Sequence, residues 1–452
     1  MVRTVTSDCL TGDDQIDYFP DKIPAAEQGL DFGFTLEYHN TYKIVTNLKT
    51  KEVYVLYCSS AKPNNTNIPN TAKAFIQIPV KNVAGLENST VSFLEILGVQ
   101  STLKYVTNST TIVSPCLQKN NSIESFGLNI TNVDVVFTDG TSLNSGKDVS
   151  VSIDDDLSPI RKSEWIKFIS SFYNLEKTAL NSLNALKIIY TCNKNNLANI
   201  PNDKKKQIAW VAYNNDTNQY SATTLDITKT SATSSIQDFQ KMIASAHIVI
   251  DQTKLVYPND KYEYWSKLFG YYNMNPNDKE NPPPYFIKNK LVFRTSKTKN
   301  ALGFSDWNER SSSRPDIAIQ DLIAVQYPTY QPNYKITWLE RFFDSVSGNV
   351  ITKENCTTDL ENASTLPISD FGKCTSKEFL GDDSTDNGDD NDNDDNKNPK
   401  NAIIIAVSIL AGLAGFGVAI WLFIFGRKKY RERFVELKDE PEIQLSDVKD
   451  VK

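Results

Sequence analysis

One long helical stretch near the middle of the chain separates two halves of alternating strands and short helices. Within residues 158–191, apolar side chains recur at steps of three and four, the period of an α-helix. They are Trp165, Phe168, Ile169, Phe172, Leu175, Ala179, Leu183, Leu186 and Tyr190. Asn174 can cap a second helix, with Glu176 in its first turn. The pattern therefore predicts two consecutive helices, or one helix kinked near Asn174.

The halves on either side of this stretch show the same alternation. Residues 34–58 alternate apolar and polar positions about a central turn, which predicts a β-hairpin. Further strands and helices are expected at 74–80, 88–98, 103–107, 133–139 and 148–154, and then at 207–213, 235–246, 247–253, 262–272, 285–295 and 314–328. Strand–helix alternation of this kind indicates two α/β lobes, each with a largely parallel sheet.

A stretch of 24 residues without a charge, Ala402–Phe425, predicts a transmembrane helix. At ~1.5 Å per residue it spans roughly 36 Å, enough to cross a hydrocarbon core of about 30 Å with some tilt. Five basic residues follow between Arg427 and Arg433, so the positive-inside rule places the carboxyl terminus in the cytoplasm. We therefore expect residues 1–400 to be extracellular or lumenal, at the plasma membrane or another membrane of the secretory pathway.

These patterns divide the chain into six predicted segments. They are an amino-terminal α/β lobe with leader and hairpin (1–157), a spine helix region (158–192), a second α/β lobe (193–345), a Cys-containing tail with an acidic disordered stalk (346–400), the transmembrane helix (401–426) and a cytoplasmic tail (427–452). Residues 381–396 of the stalk hold eight Asp and no basic residue, so the stalk accounts for the formal net charge of −7. The remainder is near neutral and has no basic stripe, which argues against nucleic acid as a partner.

Glycosylation and cysteine signals agree with an extracytoplasmic location. Eight N-x-S/T sequons precede the predicted membrane span, at Asn64, Asn88, Asn108, Asn120, Asn129, Asn215, Asn355 and Asn362. All six cysteines lie on the same side, and an even number favours disulfides. They are Cys9, Cys58, Cys116, Cys192, Cys356 and Cys374. Six cysteines can pair in many ways, and the sequence does not choose among them. Cys356 with Cys374 is the local disulfide that we expect.

A secretion signal is expected for this topology, and the first fourteen residues, MVRTVTSDCLTGDD, lack its apolar core. We therefore expect the natural translation start to lie upstream of Met1. Unconventional secretion is the alternative.

The order of several segments resembles a known family. These segments are DYFPDKI, FTLEYHNTYKIVTN, FLEILGV, SPC, SEWIKFISSFYNLEKTA, IAWVAY, IVIDQT, SDWNE and RPDIAIQDLIAVQYP. Together they are similar to the periplasmic-binding-protein-like ectodomains of fungi and other eukaryotes, in membrane-anchored form. Those ectodomains resemble bacterial class III (cluster A) substrate-binding proteins, the iron–siderophore, cobalamin and metal receptors of ABC importers. The resemblance covers roughly Tyr18 to Phe343.

The resemblance implies two Rossmann-like α/β lobes joined by one long spine helix, with ligand in the cleft between them and little hinge motion. Residues 158–191 occupy the place of that spine. Members that bind zinc or manganese use His-rich ligand sets, and this chain has only two His, His39 and His247. A bare metal ion is therefore not expected, and neither is a cofactor; a metal chelate or an organic ligand fits better.

No motif supports catalysis. The chain has no G-x-S-x-G elbow, no P-loop and no dinucleotide fingerprint, so we do not expect an enzyme. His247 is expected to be a packed or capping residue.

The ligand cleft is expected beyond the carboxyl ends of the predicted strands. The candidate ligand-binding residues are Ser89, Thr90, Tyr213, Asn214, Gln252, Thr253, Arg294, Thr295, Asp306 and Trp307. Ser89 and Thr90 offer hydroxyls at a helix start, with plain helix capping as the alternative. Arg294 is either a clamp for an anionic chelate or a surface charge, and Trp307 is either a cleft wall or core. Asn88 heads a sequon in the same loop, where a glycan would crowd the mouth.

Two functions follow from this pattern. The first is a cell-surface receptor that captures a small ligand and presents it to a transporter partner, which is needed because the chain has no ATPase motif. The alternative is a surface adhesion or interaction module that keeps the fold without binding a ligand. Small residues at Ala411, Gly415 and Ala419 also allow weak homodimerisation through the transmembrane helix.

Overall fold

The computed structural model describes Cys9 and residues 16–382, except 65, 121, 128–131, 142, 144, 154–157, 224–230, 254–260, 273, 276–277, 345–347 and 358–373. The predicted stalk beyond 382, transmembrane helix, cytoplasmic tail and two sequons (Asn129 and Asn362) lie outside these residues. Among the helices described, none is both long and apolar enough to cross a membrane.

A four-stranded sheet follows the leader. Its strands are β1 (Phe34–Tyr38), β2 (Tyr42–Asn47), β3 (Val53–Tyr57) and β4 (Ala72–Gln77). The predicted hairpin is present as β2 and β3, with β1 as an additional antiparallel strand. The strand predicted at 74–80 corresponds to β4, which pairs in parallel with β3 and so belongs to this sheet.

The amino-terminal parallel sheet has strand order β7-β6-β5-β8-β9, and all its pairs are parallel. Its elements are β5 (Val83–Gly85), α1 (Ser89–Leu97), β6 (Leu103–Val106), α2 (Pro115–Lys119), β7 (Glu124–Ser125), β8 (Val135–Thr138) and β9 (Asp148–Ser150). The central strand β5 has only three residues, all buried, too few to show a periodic pattern. We call the described residues 16–153 the N-lobe.

The helical stretch begins with α3 (Pro159–Ser163) and α4 (Trp165–Ser170) and continues as α5 (Glu176–Asn196). The predicted break is confirmed, because Asn174 between α4 and α5 has a φ of 57°. Its aromatic residues pack into the N-lobe core: Phe34 lies 5.6 Å from Trp165 and 5.8 Å from Phe168, between ring centroids. The rod of 21 residues that follows the break then leads into the second lobe.

Asn174 is suited to this break by its backbone rather than its side chain. Both polar atoms of its side chain are buried without a hydrogen-bond partner. We expect Asn174→Gly to leave the free energy of unfolding unchanged or higher, and Asn174→Ala to lower it by about 1 kcal/mol, because left-handed backbone is unfavourable for Ala. Urea denaturation of both variants tests this. Equal stability of the two variants would contradict it.

The second lobe has one mixed sheet of order β12-β11-β10-β13-β14-β16, in which β10, β13 and β14 are parallel. Its elements are β10 (Ile208–Asn214), β11 (Gln219–Thr223), β12 (Ser231–Thr233), α6 (Ile236–Ile243), β13 (Ile248–Asp251), α7 (Lys261–Leu268), α8 (Tyr285–Lys288), β14 (Val292–Arg294), β15 (Thr298–Asn300), α9 (Asp306–Arg310), α10 (Pro315–Gln326), β16 (Glu340–Arg341) and β17 (Asn349–Ile351). We call the described residues 197–357 the C-lobe. One face of the sheet packs on α6, α7 and α8, and the other packs on α10.

All six cysteines form disulfides, but the expected local pair is wrong. Cys9 pairs with Cys58, Cys116 with Cys356, and Cys192 with Cys374. Cys356 follows β17, which pairs in parallel with β15 and so places this segment beside α2 of the N-lobe. Proximity in sequence failed as a guide, because this pairing depends on how the two lobes meet.

Candidate functional site

The segment that follows the parallel strand β6 of the N-lobe contacts β15 and α9, which follow the parallel strand β14 of the C-lobe. Residues 107–118, which follow β6 and which we call the bridging loop, are the centre of this contact. The Asn300 Nδ2 donates hydrogen bonds to the carbonyls of Thr110 (2.7 Å) and Ile112 (3.1 Å). The backbone N–H groups of Val113 and Ser114 donate to the Glu309 carboxylate at 2.7 and 3.1 Å. The carboxyl edges of the two sheets therefore face each other, which is where α/β sheets bind ligands.

Three carboxylates and one guanidinium lie at this contact. The Arg310 guanidinium donates to Glu95 of α1 at 2.8 Å and also pairs with Asp306. The Glu95 carboxylate accepts a short hydrogen bond from the Ser114 hydroxyl. Burial, with the nearby charges of Glu95 and Asp306, raises the pKa of Glu309 to about 8, although Arg310 and the Val113 N–H act in the opposite direction. We call these five side chains, Glu95, Ser114, Asp306, Glu309 and Arg310, the interlobe cluster.

The raised pKa of Glu309 gives a pH dependence with a definite sign. Because this carboxyl holds its proton more tightly in the folded chain than in the unfolded one, its effect favours folding below about pH 8 and is lost as the pH rises through that value. We expect wild type to lose stability relative to Glu309→Gln between pH 6 and pH 9. Urea midpoints of both proteins at the two pH values measure this, and a constant difference would contradict it.

On the C-lobe side, the predicted ligand-binding residues that follow β10 and β13 lie close together and are partly joined by hydrogen bonds. The Tyr213 N–H donates to the Thr253 hydroxyl at 3.0 Å, and that hydroxyl donates to Asp251 at 2.5 Å. Asn214 is exposed, and its side-chain oxygen accepts from two N–H groups of the following turn. Gln252 is exposed beside them. This edge therefore places Tyr213, Asn214, Gln252 and Thr253 together.

Arg294 ends β14 on the same sheet face as Asp251, its register partner on β13. Its side chain is half-buried, with the guanidinium carbon 5.8 Å from the centre of the Phe342 ring. Thr295 is buried, and its carbonyl accepts a short hydrogen bond from the Ser305 hydroxyl. A half-buried guanidinium at the carboxyl edge can hold an anionic group, because Arg presents its donors in a fixed planar fork.

A ladder of three indole rings lies on the other face of the C-lobe sheet. Trp307 stacks on Trp210 at 5.5 Å and meets Trp338 edge-on at 5.3 Å, between ring centroids. Trp338 is fully buried and donates its indole N–H to Asp306 at 2.8 Å, whereas Trp210 and Trp307 are half-buried. Asp306 is therefore part of the support for the ladder, and Trp307 presents part of a large apolar ring at the surface.

On the N-lobe side, Ser89 and Thr90 are buried at the start of α1, with relative exposures of 4% and 0%. The Glu87 carboxylate caps this helix by accepting from the Ser89 N–H at 3.0 Å. The preceding sequon residue, Asn88, is exposed and makes no capping bond. The side chain that is accessible on this loop is therefore Asn88.

The interlobe cluster includes functional candidates that sequence reasoning missed. Glu95, Ser114, Glu309 and Arg310 are single polar residues without a spacing motif, and no periodic signal distinguishes them from surface charges. Only Asp306 of the cluster was predicted. The one signal that could have pointed to Glu309 and Arg310 was the position of their helix, α9, directly after the strands β14 and β15.

Neither histidine lies in a metal cluster. The His247 Nδ1 accepts from the Gln207 N–H at 3.1 Å, and burial followed by the charge of Lys206 lowers its pKa. His39 stacks on Tyr42 with 4.3 Å between ring centroids. Throughout the part of the chain that the structure describes, no group of three or more His, Cys, Asp or Glu is arranged to hold a metal ion.

Comparison with known proteins gives distant structural likenesses. No protein-family model and no curated protein sequence matches the chain. Helicobacter pylori CeuE with Ni(II) bound is 13% identical, with a TM-score of 0.39, over 62% of this chain and 92% of its own. The petrobactin-binding protein YclQ of Bacillus subtilis is 10% identical, with a TM-score of 0.37, over 55% and 90%. The molybdate-binding protein MolA of Haemophilus influenzae is 13% identical, with a TM-score of 0.38, over 57% and 89%.

YclQ and MolA are binding proteins by name, and the likeness of all three structures to this chain is weak.

Proposed function

We propose that this chain is a solute-binding receptor that captures a small ligand between its N-lobe and C-lobe. The observation that carries the proposal is that segments following the parallel strands of the two lobes meet in a direct contact. Ligands of open α/β sheets bind outside these edges, at the ends of neighbouring parallel strands.

The chemistry at the C-lobe edge supports a ligand with both a flat apolar part and an anionic part. The half-buried ring of Trp307 suits the first, and the half-buried guanidinium of Arg294 suits the second. Exposed amides at Asn214 and Gln252 add polar contacts. A metal chelate, such as an iron–siderophore or a cobalamin, combines these properties.

The cellular setting is part of the same proposal. The apolar stretch 402–425 and the basic residues after it favour a single-pass membrane protein with its lobes outside the cytoplasm. The sequons and three disulfides agree with such a compartment. A transporter partner would receive the ligand, and Ala411, Gly415 and Ala419 offer a weak homodimer contact in the membrane.

A thermal-shift screen of the full chain tests the receptor proposal. The probes are ferric catecholate and ferric hydroxamate siderophores, haem, cyanocobalamin, and Zn²⁺ and Ni²⁺ as metal controls. A probe at 100 times its dissociation constant should add about 2.7 kcal/mol to the free energy of unfolding. Trp307→Ala and Arg294→Met should reduce the shift. If no probe moves the melting temperature, the receptor proposal fails.

The direct contact between the lobes also favours the alternative, a surface interaction module without a ligand. Glu309 and Asn300 bind backbone groups of the bridging loop, which is part of the edge where a ligand would lie. A chain that binds none of the probes but adheres to cells or to a protein partner through its lobes would support this alternative.

A further inference from the structure

The Cys116–Cys356 disulfide crosses between the lobes beside the interlobe cluster. Cys116 lies in α2, within the bridging loop, and Cys356 follows the strand β17 that pairs with β15 of the C-lobe. The two cysteines are 240 residues apart in sequence. Next to the bond, the Gln118 amide donates to the carbonyl of Ile351 at 3.4 Å.

The other two disulfides have different positions. Cys9–Cys58 lies in the N-lobe core, and its cysteines are 7% and 0% exposed. Cys192–Cys374 joins the last turns of α5 to the segment 374–382, which packs on Asn196 and Tyr330. Cys116–Cys356 is therefore the disulfide that links the N-lobe to C-lobe elements at the ligand edge. Like Cys192 and Cys374, both of its cysteines are half-buried, whereas Cys9 and Cys58 are buried.

We propose that the Cys116–Cys356 disulfide is a redox-sensitive latch, whose reduction by a dithiol releases the bridging loop from the C-lobe and widens the edge through which a solute exchanges. A thiolate of the dithiol attacks one sulfur, forms a mixed disulfide and releases the other cysteine, which takes up a proton. The second thiol of the reductant then displaces the first cysteine. Two cysteine thiols form, and the dithiol is oxidised to a disulfide.

Reduction should release the bridging loop because its other contacts with the C-lobe are non-covalent. These contacts are hydrogen bonds: the Asn300 amide donates to carbonyls of the loop, the N–H groups of Val113 and Ser114 donate to Glu309, and the Gln118 amide donates to Ile351. Although Glu309, Asn300 and Val113 are buried, each such hydrogen bond makes only a modest net contribution to stability, because it replaces a hydrogen bond to water. The disulfide instead closes a very long loop, which is where a cross-link restricts the chain most. Its loss should therefore raise local opening of the bridging loop without unfolding either lobe.

Hydrogen exchange of the full chain tests the latch at two defined amides. Val113 and Ser114 donate their N–H groups to Glu309, so their exchange reports the contact directly. Treatment with dithiothreitol, monitored by differential alkylation and mass spectrometry, should reduce Cys116–Cys356 before Cys9–Cys58. Exchange at the two amides should then rise about tenfold, while Val55 in the N-lobe sheet should not change.

Matched variants keep the test decisive. Cys116→Ser with Cys356→Ser should show the raised exchange without reductant, and Cys192→Ser with Cys374→Ser should not. Unchanged exchange at Val113 and Ser114 after verified reduction of Cys116–Cys356 in wild type would overturn the latch, even if the serine variants fail to fold.

The effect on solute exchange rests on the proposed function. A bound probe from the thermal-shift screen should dissociate several-fold faster from the reduced chain. If no probe binds, the proposed function fails, and the amide exchange still decides the latch.

Discussion

Lys43→Met should lower the free energy of unfolding by about 3–5 kcal/mol, because it leaves a buried carboxylate without its partner. The Lys43 Nζ lies 2.6 Å from the Glu176 carboxylate, and the two side chains are 0% and 2% exposed. The same ammonium donates to the Ser171 carbonyl at 2.8 Å. Lys43 thus connects β2 to both sides of the break at Asn174, and its loss should loosen the start of the spine. Urea denaturation measures the change.

The double variant Lys43→Met with Glu176→Leu should recover most of this loss, since replacing a whole buried ion pair by apolar side chains is often neutral. Lys177→Met is the matched control, because Lys177 is 67% exposed and lies 3.8 Å from Asp21. Its effect should stay within about 0.5 kcal/mol. A double variant as unstable as Lys43→Met alone would contradict the proposed role of the pair.

Asp321→Ala is expected to cost about 3–5 kcal/mol, because it removes an acceptor shared by several buried donors. The carboxylate of this fully buried residue in α10 accepts from the N–H groups of Thr337 (2.8 Å) and Trp338 (2.6 Å) and from the Tyr334 hydroxyl (2.7 Å). These bonds fix Trp338 against Trp307. Urea denaturation gives the stability loss, and tryptophan fluorescence should report a disturbed indole ladder.

Asp321→Asn keeps one acceptor oxygen and should lose less stability than Asp321→Ala. Asp238→Ala is the surface control, since Asp238 is 57% exposed and pairs with Lys241. An Asp321→Ala protein with wild-type stability and wild-type fluorescence would refute the role of this carboxylate in supporting the candidate site.

The long helical stretch and its break were predictable because they depend on local chemistry. A period of three and four residues identifies a helix, and Asn in the left-handed region marks its interruption at Asn174. Strand–helix alternation also predicted a largely parallel sheet in each lobe, which is correct for β5–β9 of the N-lobe. In the C-lobe only β10, β13 and β14 pair in parallel, and the outer strands pair antiparallel. The central strand β5 was not predicted, because its three buried residues, Val83–Gly85, are too few to show a periodic pattern. Its place in the sheet depends on tertiary pairing with strands distant in sequence.

The candidate site was predictable only in part, because it depends on where one lobe meets the other. The rule that ligands bind beyond strand ends selected Tyr213, Gln252, Arg294 and Trp307, which lie at the C-lobe edge. The same rule selected Ser89 and Thr90, which are buried under a cap formed by Glu87. The partners of Glu309 and Cys356 lie about two hundred residues away in sequence, and no local pattern encodes such a pair.

A hydrogen-exchange footprint of the full chain, with the siderophore, haem or cobalamin probe that raises its melting temperature most, tests the binding of a solute between the lobes most directly. Protection is expected in loops of both lobes at the facing edges, at 107–114 on one side and at 213–215, 252–253 and 305–307 on the other. Protection confined to one lobe, or located away from these edges, would contradict it.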